Sequence, residues 1–126
     1  KIKTYISVDG GMSDNIRPIL YDAQYSPFIA NKMDKMQDEK DFRNYSIVGK
    51  HCESGDIVVK NARLPKVSIG DYIAIATTGA YCYSMSSNYN GQKKGAVIAV
   101  EDGKSWVWVD RQNNNDLIRG HRKLYE

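Results

Sequence analysis

The sequence predicts a mainly β domain, an antiparallel barrel or sandwich with one or two short helices. Three observations point there. Apolar residues come in short alternating runs, not at helical spacing. Two of these runs, "GDIVVKNARL" and "GDYIAIATTGAYCYSM", open on Gly-Asp, a turn feeding a strand. A third, "GAVIAVEDGKSWVWVD", doubles back through Asp102-Gly103, a pair that supplies the positive φ a tight hairpin requires. At 126 residues the chain has room for one modest core, so residues 1–126 are expected to form a single β domain.

Taken in order, "KIKTYISVD" alternates, with Ile2, Thr4, Ile6 and Val8 on one face and Lys3, Tyr5 and Ser7 on the other. In "SDNIRPILYDA" Ser13 or Asp14 can cap a turn or two of helix, provided Pro18 lies near its start. The polar stretch 31–44, "NKMDKMQDEKDFRN", lacks β alternation and reads as an exposed loop with at most a turn of helix. The two Gly-Asp strands follow. The hairpin is then expected over Val97–Glu101 and Ser105–Asp110, and Asn113–Asp116 can cap a short terminal helix.

Composition narrows the function classes. Hydrophobic residues at 41% and charged residues at 26% are ordinary for a soluble globular chain. A net charge of +3, with "KK" at 93–94 and "RGHRK" at 119–123 the main basic clusters, gives no case for nucleic acid as a partner. No apolar stretch approaches the roughly 20 residues of a membrane span, and no signal-peptide pattern is present; a membrane partner is not expected. Cys52 and Cys82 are too few for a disulfide framework and read as free thiols, which places the chain in the cytoplasm. Apart from adjacent His51, neither cysteine has a Cys or His at zinc-ligand spacing. Lys1 enters directly into a strand pattern, which suggests a piece cut from something longer.

Four segments carry more chemistry than turns need: "VDGGMSDNIRPILY" (8–21), "GKHCESGD" (49–56), "TTGAYCYSMSSNYN" (77–90) and "NNNDLIRG" (113–120). Arg17 and Tyr21 are four residues apart, so one helical turn presents both on the same side. A guanidinium fork beside a phenol suits a carboxylate or phosphate; an exposed arginine beside an inward tyrosine fits the spacing too. Gly10-Gly11 allows close backbone approach or a plain turn. Cys52 beside Glu53 can exchange a proton, and its neighbours His51 and Asp56 argue against a dry apolar site. A Cys–His hydrolase would need His51 or His121 as its base, but an adjacent residue on a strand faces the other way. The tyrosines and small residues of 77–90 can admit a phosphate ester, or they can simply line a strand. Trp106 and Trp108, on one strand face, serve equally as core, dimer interface or stacking platform. They leave open a second class, a small β-barrel binding module for an anionic ligand or RNA.

In order, "VDGGMSDNIRPILY", "GKHCESGD" and "TGAYCYSMSSNYN" resemble the C-terminal β domain of the pyridoxal-phosphate-dependent decarboxylases of the alanine-racemase-like fold, and among them the diaminopimelate decarboxylases of lysine biosynthesis. The likeness runs from about Ile6 to Asn90, with a looser tail to Leu117. It implies a carboxy-lyase that converts meso-2,6-diaminopimelate to L-lysine and carbon dioxide. A (β/α)8 barrel, absent here, would hold pyridoxal 5'-phosphate through a lysine. It also implies a homodimer whose active sites are built from both subunits, so that this chain alone is inactive. Carried over by motif, Arg17 and Tyr21 would hold the substrate carboxylate. Tyr81 would bond the cofactor phosphate beside the substrate. Glu53 would recognise the distal ammonium-bearing stereocentre across the subunit boundary, and Cys52 would be the catalytic proton donor near Cα. Two segments depart from the pattern: "GQKKG" follows "NYN" where an arginine is usual, and "DRQNNNDL" replaces a segment like "RRETFEDL".

Overall fold

In a computed structural model, residues 3–124 are described. They form two compact units that divide between Ser86 and Ser87. Of the expected first strand, Lys1 and Ile2 lie outside the described residues.

The first unit is built on a three-stranded sheet of order β1-β3-β4, where β1 is Tyr5–Ser7, β3 is Arg43–Val48 and β4 is Ile57–Leu64. The alternation in β1 is the expected one: Ile6 and Val8 pack on the core while Tyr5 and Ser7 face outward. Its pairing is not the expected one. β1 runs parallel to β3 through Tyr5↔Ser46 and Ser7↔Val48, because the long connection from 8 to 42 returns the chain in the same direction. β3 itself lies partly inside the stretch read as loop. Arg43 and Asn44 hide its start, yet Tyr45 and Ile47 point inward two residues apart. β4 pairs antiparallel with β3 through irregular register.

A second sheet pairs β2, Pro27–Ile29, with β5, Ile73–Ile75. The core is Ile29, Tyr45, Ile47, Val58, Ala62 and Leu64, with half-buried Ile73 and Ile75 against it. The expected long strand from Gly70 is only three residues. Thr77 (φ 61) and Tyr81 (φ 69) turn the backbone out of extended conformation, and Cys82–Met85 forms one helical turn, α2. Stretch 30–41 is largely 3-10 helix, Ala30–Gln37 and Glu39–Asp41. Its start is pinned by Asp71, whose Oδ2 lies 2.5 Å from Lys32 Nζ and 2.7 Å from the Ser68 N–H. Asn31 completes the clip, donating from Nδ2 to Asp71 Oδ1 at 3.1 Å and accepting the Tyr72 N–H at 2.9 Å.

The second unit holds the hairpin, β6 Val97–Glu101 and β7 Lys104–Val109. Asp102 (φ 49) and Gly103 (φ 72) are both left-handed, as a two-residue turn of this type demands. The register shifts between Val97 and Ile98; Trp106 and Trp108 are exposed, not core, and so are Ile98, Val100 and Val107. Asn113 caps α3, Asn114–Leu117, in a reciprocal box with Asp116. The chain is mainly β with few helices, but the expected barrel is not closed: among the described residues the sheets are open, with a parallel pair in one of them.

Candidate functional site

α1, Arg17–Tyr21, is a single turn with Pro18 in its first positions, where a missing N–H costs nothing. Neither Ser13 nor Asp14 caps it. Ile16 sits at the cap without a side-chain bond, and the Arg17 N–H donates to Asn15 Oδ1 at 3.2 Å. Ser13 is instead buried, its Oγ 2.8 Å from His51 Nε2, and Asp14 Oδ2 accepts the Gly11 N–H at 3.0 Å.

The structure brings Arg17, Tyr21 and Tyr81 together. Arg17 Cζ lies 5.5 Å from the Tyr21 ring centroid and 4.9 Å from that of Tyr81, both within cation–π reach. Both rings are exposed while Arg17 is half-buried, so the two phenols stand in water around a partly desolvated cation. Tyr81 reaches this place by an unusual backbone. At φ 69, ψ −33 it centres a γ-turn closed by the Cys82 N–H on the Ala80 carbonyl at 2.9 Å. This form is rare and strained for a residue with a side chain. A cleft of about 300 Å³ opens beside Arg17, lined by Gln24, Tyr25, Thr77 and Tyr81 among others.

Segment 49–56 is organised from the inside. Asp56, 3% exposed, accepts the Met12 N–H on Oδ1 at 2.7 Å and the His51 N–H on Oδ2 at 2.9 Å. Its carboxylate fills the space where side chains at Gly11 and Gly49 would lie: a Cβ on Gly11 would meet Oδ2 at 2.8 Å, and one on Gly49 would overlap the carboxylate outright. Close approach, not a left-handed turn, is what these two glycines provide. Cys52 and Glu53 stand at the exposed tip. Glu53 Oε1 accepts the Gly55 N–H at 3.0 Å and a hydrogen bond from Ser54 Oγ at 3.4 Å. Ile19 of α1 reaches the same loop, 3.9 Å from a Cβ on Gly55. His51 is committed inward, next to Ser13, and does not face Cys52 as a base.

Arg17 and Tyr21, expected on one side of a helical turn, do stand together, with Tyr81 beside them; of the octet, His51 and Asp56 are buried scaffold and Cys52 and Glu53 are exposed. Tyr25, absent from the expected site, joins it: its Oη accepts from Arg17 Nε at 3.1 Å. No pattern marks it, since residue 25 lies beyond the helical turn that carries Arg17. Among the described residues no cluster of His, Cys, Asp and Glu could hold a metal ion, and no helix is long and apolar enough to cross a membrane.

Residues 1–79 match the family of pyridoxal-dependent decarboxylases in its C-terminal sheet domain. The chain is 48% identical over 119 residues to a diaminopimelate decarboxylase of Staphylococcus aureus, an alignment covering 94% of the chain and 27% of that relative. It is 47% identical over 118 residues to the diaminopimelate decarboxylase of Synechocystis, covering 94% and 24%. Among solved structures, a diaminopimelate decarboxylase of Helicobacter pylori complexed with L-lysine superposes with a TM-score of 0.81 at 38% identity, over 94% of this chain and 28% of that one. The chain thus spans about a quarter of the length of the relatives it matches.

Proposed function

The chain belongs to the pyridoxal-dependent decarboxylases, and we propose that it is the C-terminal β domain of a diaminopimelate decarboxylase, acting with a barrel domain of the same enzyme on meso-2,6-diaminopimelate in the cytoplasm. One observation carries the reading: Tyr21 and Tyr81, from two separate segments, both stand over Arg17, and Arg17 and Tyr81 line one solvent-open cleft. These residues fit one end of pyridoxal phosphate and not the whole. A guanidinium with two exposed phenols suits an anionic group, whereas among the described residues no lysine lines the cleft. When bound, the cofactor supplies the electron sink for loss of carbon dioxide.

The chain's own residues do the rest. The Arg17 fork takes the substrate carboxylate that stays, with Tyr21 Oη beside it, and fixes which end of the substrate faces the reaction. Tyr81 Oη would hold the cofactor phosphate by donating a hydrogen bond to it. The exposed Glu53 carboxylate pairs with the distal ammonium, and Cys52 Sγ gives the proton that replaces carbon dioxide on the α carbon. The thiolate left on Cys52 regains its proton from solvent. Exposure of Cys52 and Glu53 at a loop tip supports their reaching into a partner subunit's site in a homodimer. The apolar hairpin face of Ile98, Val100 and Val107 is a candidate for part of the contact. We take both compact units to belong to one β domain, which has no turnover without the (β/α)8 barrel domain.

Mixing the chain with the barrel domain and pyridoxal phosphate tests this. Release of carbon dioxide from meso-2,6-diaminopimelate, absent with either part alone, is the expected result. A folded, cofactor-loaded barrel that gains nothing from the chain would overturn it.

A further inference from the structure

Four residues close a ring at the cleft. Arg17 Nε donates to Tyr25 Oη at 3.1 Å, and Tyr25 Oη lies 3.6 Å from Cys82 Sγ. Cys82 Sγ donates to Asn15 Oδ1 at 3.3 Å, and the same oxygen accepts the Arg17 backbone N–H at 3.2 Å. Cys82 and Asn15 are 5% and 8% exposed, so half of the ring is dry.

Its protons can run only one way. The Arg17 N–H is a donor, so the Asn15 amide must turn its oxygen there, although its buried Nδ2 then has no partner. An amide oxygen only accepts, so Cys82 S–H donates to it. The sulfur is left as acceptor for the Tyr25 O–H, and the Tyr25 oxygen is left as acceptor for Arg17 Nε. With Nε taken, the guanidinium presents its two Nη groups, the fork that matches a carboxylate. The ring has a second output. Cys82 follows Tyr81 directly, and its burial holds the strained turn at Tyr81 that sets that ring over Arg17.

We propose that Tyr25, Cys82 and Asn15 are positioning residues: together they orient the Arg17 fork and lock Tyr81 beside it, so that the carboxylate and phosphate ligands are set as one unit. This rests on the reading of Arg17 and Tyr81 given above. Cys82, buried, acts only through its neighbours; Tyr25 lines the cleft as well, and the role assigned to it is its bond to Arg17.

The test uses the chain together with its barrel domain. Y25F should raise KM for meso-2,6-diaminopimelate about ten-fold, the order expected for one hydrogen bond to a charged group, with kcat within about two-fold. In an R17M background the same substitution should add less than about two-fold, because there is no fork left to orient. C82S keeps a donor and an acceptor in place and should stay close to wild type; C82A should behave like Y25F and also weaken retention of pyridoxal phosphate. Without cofactor, exchange of the Arg17 Nε–H, followed by NMR with 15N-arginine, should be slow and should quicken at least several-fold in Y25F. Equal effects of Y25F with and without Arg17, or unchanged exchange, would overturn the positioning role. R17M with an unaltered KM would instead overturn the reading of Arg17 as the carboxylate ligand, and the ring's role with it.

Discussion

Gly49 and Asp56 give a prediction whose size follows from geometry. Replacing Asp56 with Ala leaves the Met12 and His51 N–H groups without the acceptors they hold at 2.7 and 2.9 Å. A buried donor left unsatisfied costs about 1–3 kcal/mol, so D56A, which strands two, should lose about 2–6 kcal/mol, less whatever an entering water restores. G49A attacks the same bonds from the other side. Its methyl would occupy the carboxylate's place, and with Gly11 and the His51 ring also close the carboxylate has little room to retreat. G49A should therefore cost about 1–3 kcal/mol for each of the two bonds it breaks. Once Asp56 is Ala the space is open, and G49A should then cost no more than about 0.5 kcal/mol. Urea midpoints of the four proteins, taken with a common slope, give the coupling directly. Were G49A as destabilising in the D56A background as in wild type, the wedge would not be the reason residue 49 is glycine.

Three further outcomes follow from the same coordinates. The bonds from Lys32, the Ser68 N–H and Asn31 lower Asp71 from 3.8 to about 2. With the folded value the lower of the two, the clip's contribution is complete above about pH 3.8 and is lost as pH falls toward about 2. Wild type should accordingly lose stability faster than D71N across that window, and parallel acid titrations would refute the clip. Cys52 is exposed and Cys82 buried, so a thiol reagent should titrate one cysteine in the native chain and two after unfolding; two fast native thiols would contradict the ring behind Arg17. The exposed hairpin face should drive self-association, seen by light scattering as a dimer or larger species and reduced by V100K or V107K. A monomer at high concentration would remove that face from the dimer reading.

What could be read from the sequence is what neighbours decide. Asp102-Gly103 and the Asn113–Asp116 box are each set within a few residues, and both are present as expected. β3 was hidden because Arg43 and Asn44 face solvent at its start, and only its partners on both sides make a strand of it. The parallel sense of β1 and the open sheets depend on distant pairing, about which alternation is silent. In the site, the spacing of Arg17 and Tyr21 carried real information, and the family resemblance added Tyr81. Burial was what could not be seen: the octet shows four reactive side chains, but whether each faces inward or outward depends on Gly11 and Ser13, some forty residues earlier.

The parallel pairing of β1 with β3 has a consequence for how the cleft comes into being. Tyr5 and Ser46 are about forty residues apart, and α1 with Arg17 and Tyr25 rides on the excursion between them. Closing so long an excursion costs entropy before its contacts give any return, which makes this pairing a slow event during folding. Arg17 and Tyr25 should thus find Cys82 only after the sheet has joined, and a newly made chain should acquire ligand affinity in a step later than the one in which its strands gain protection from hydrogen exchange.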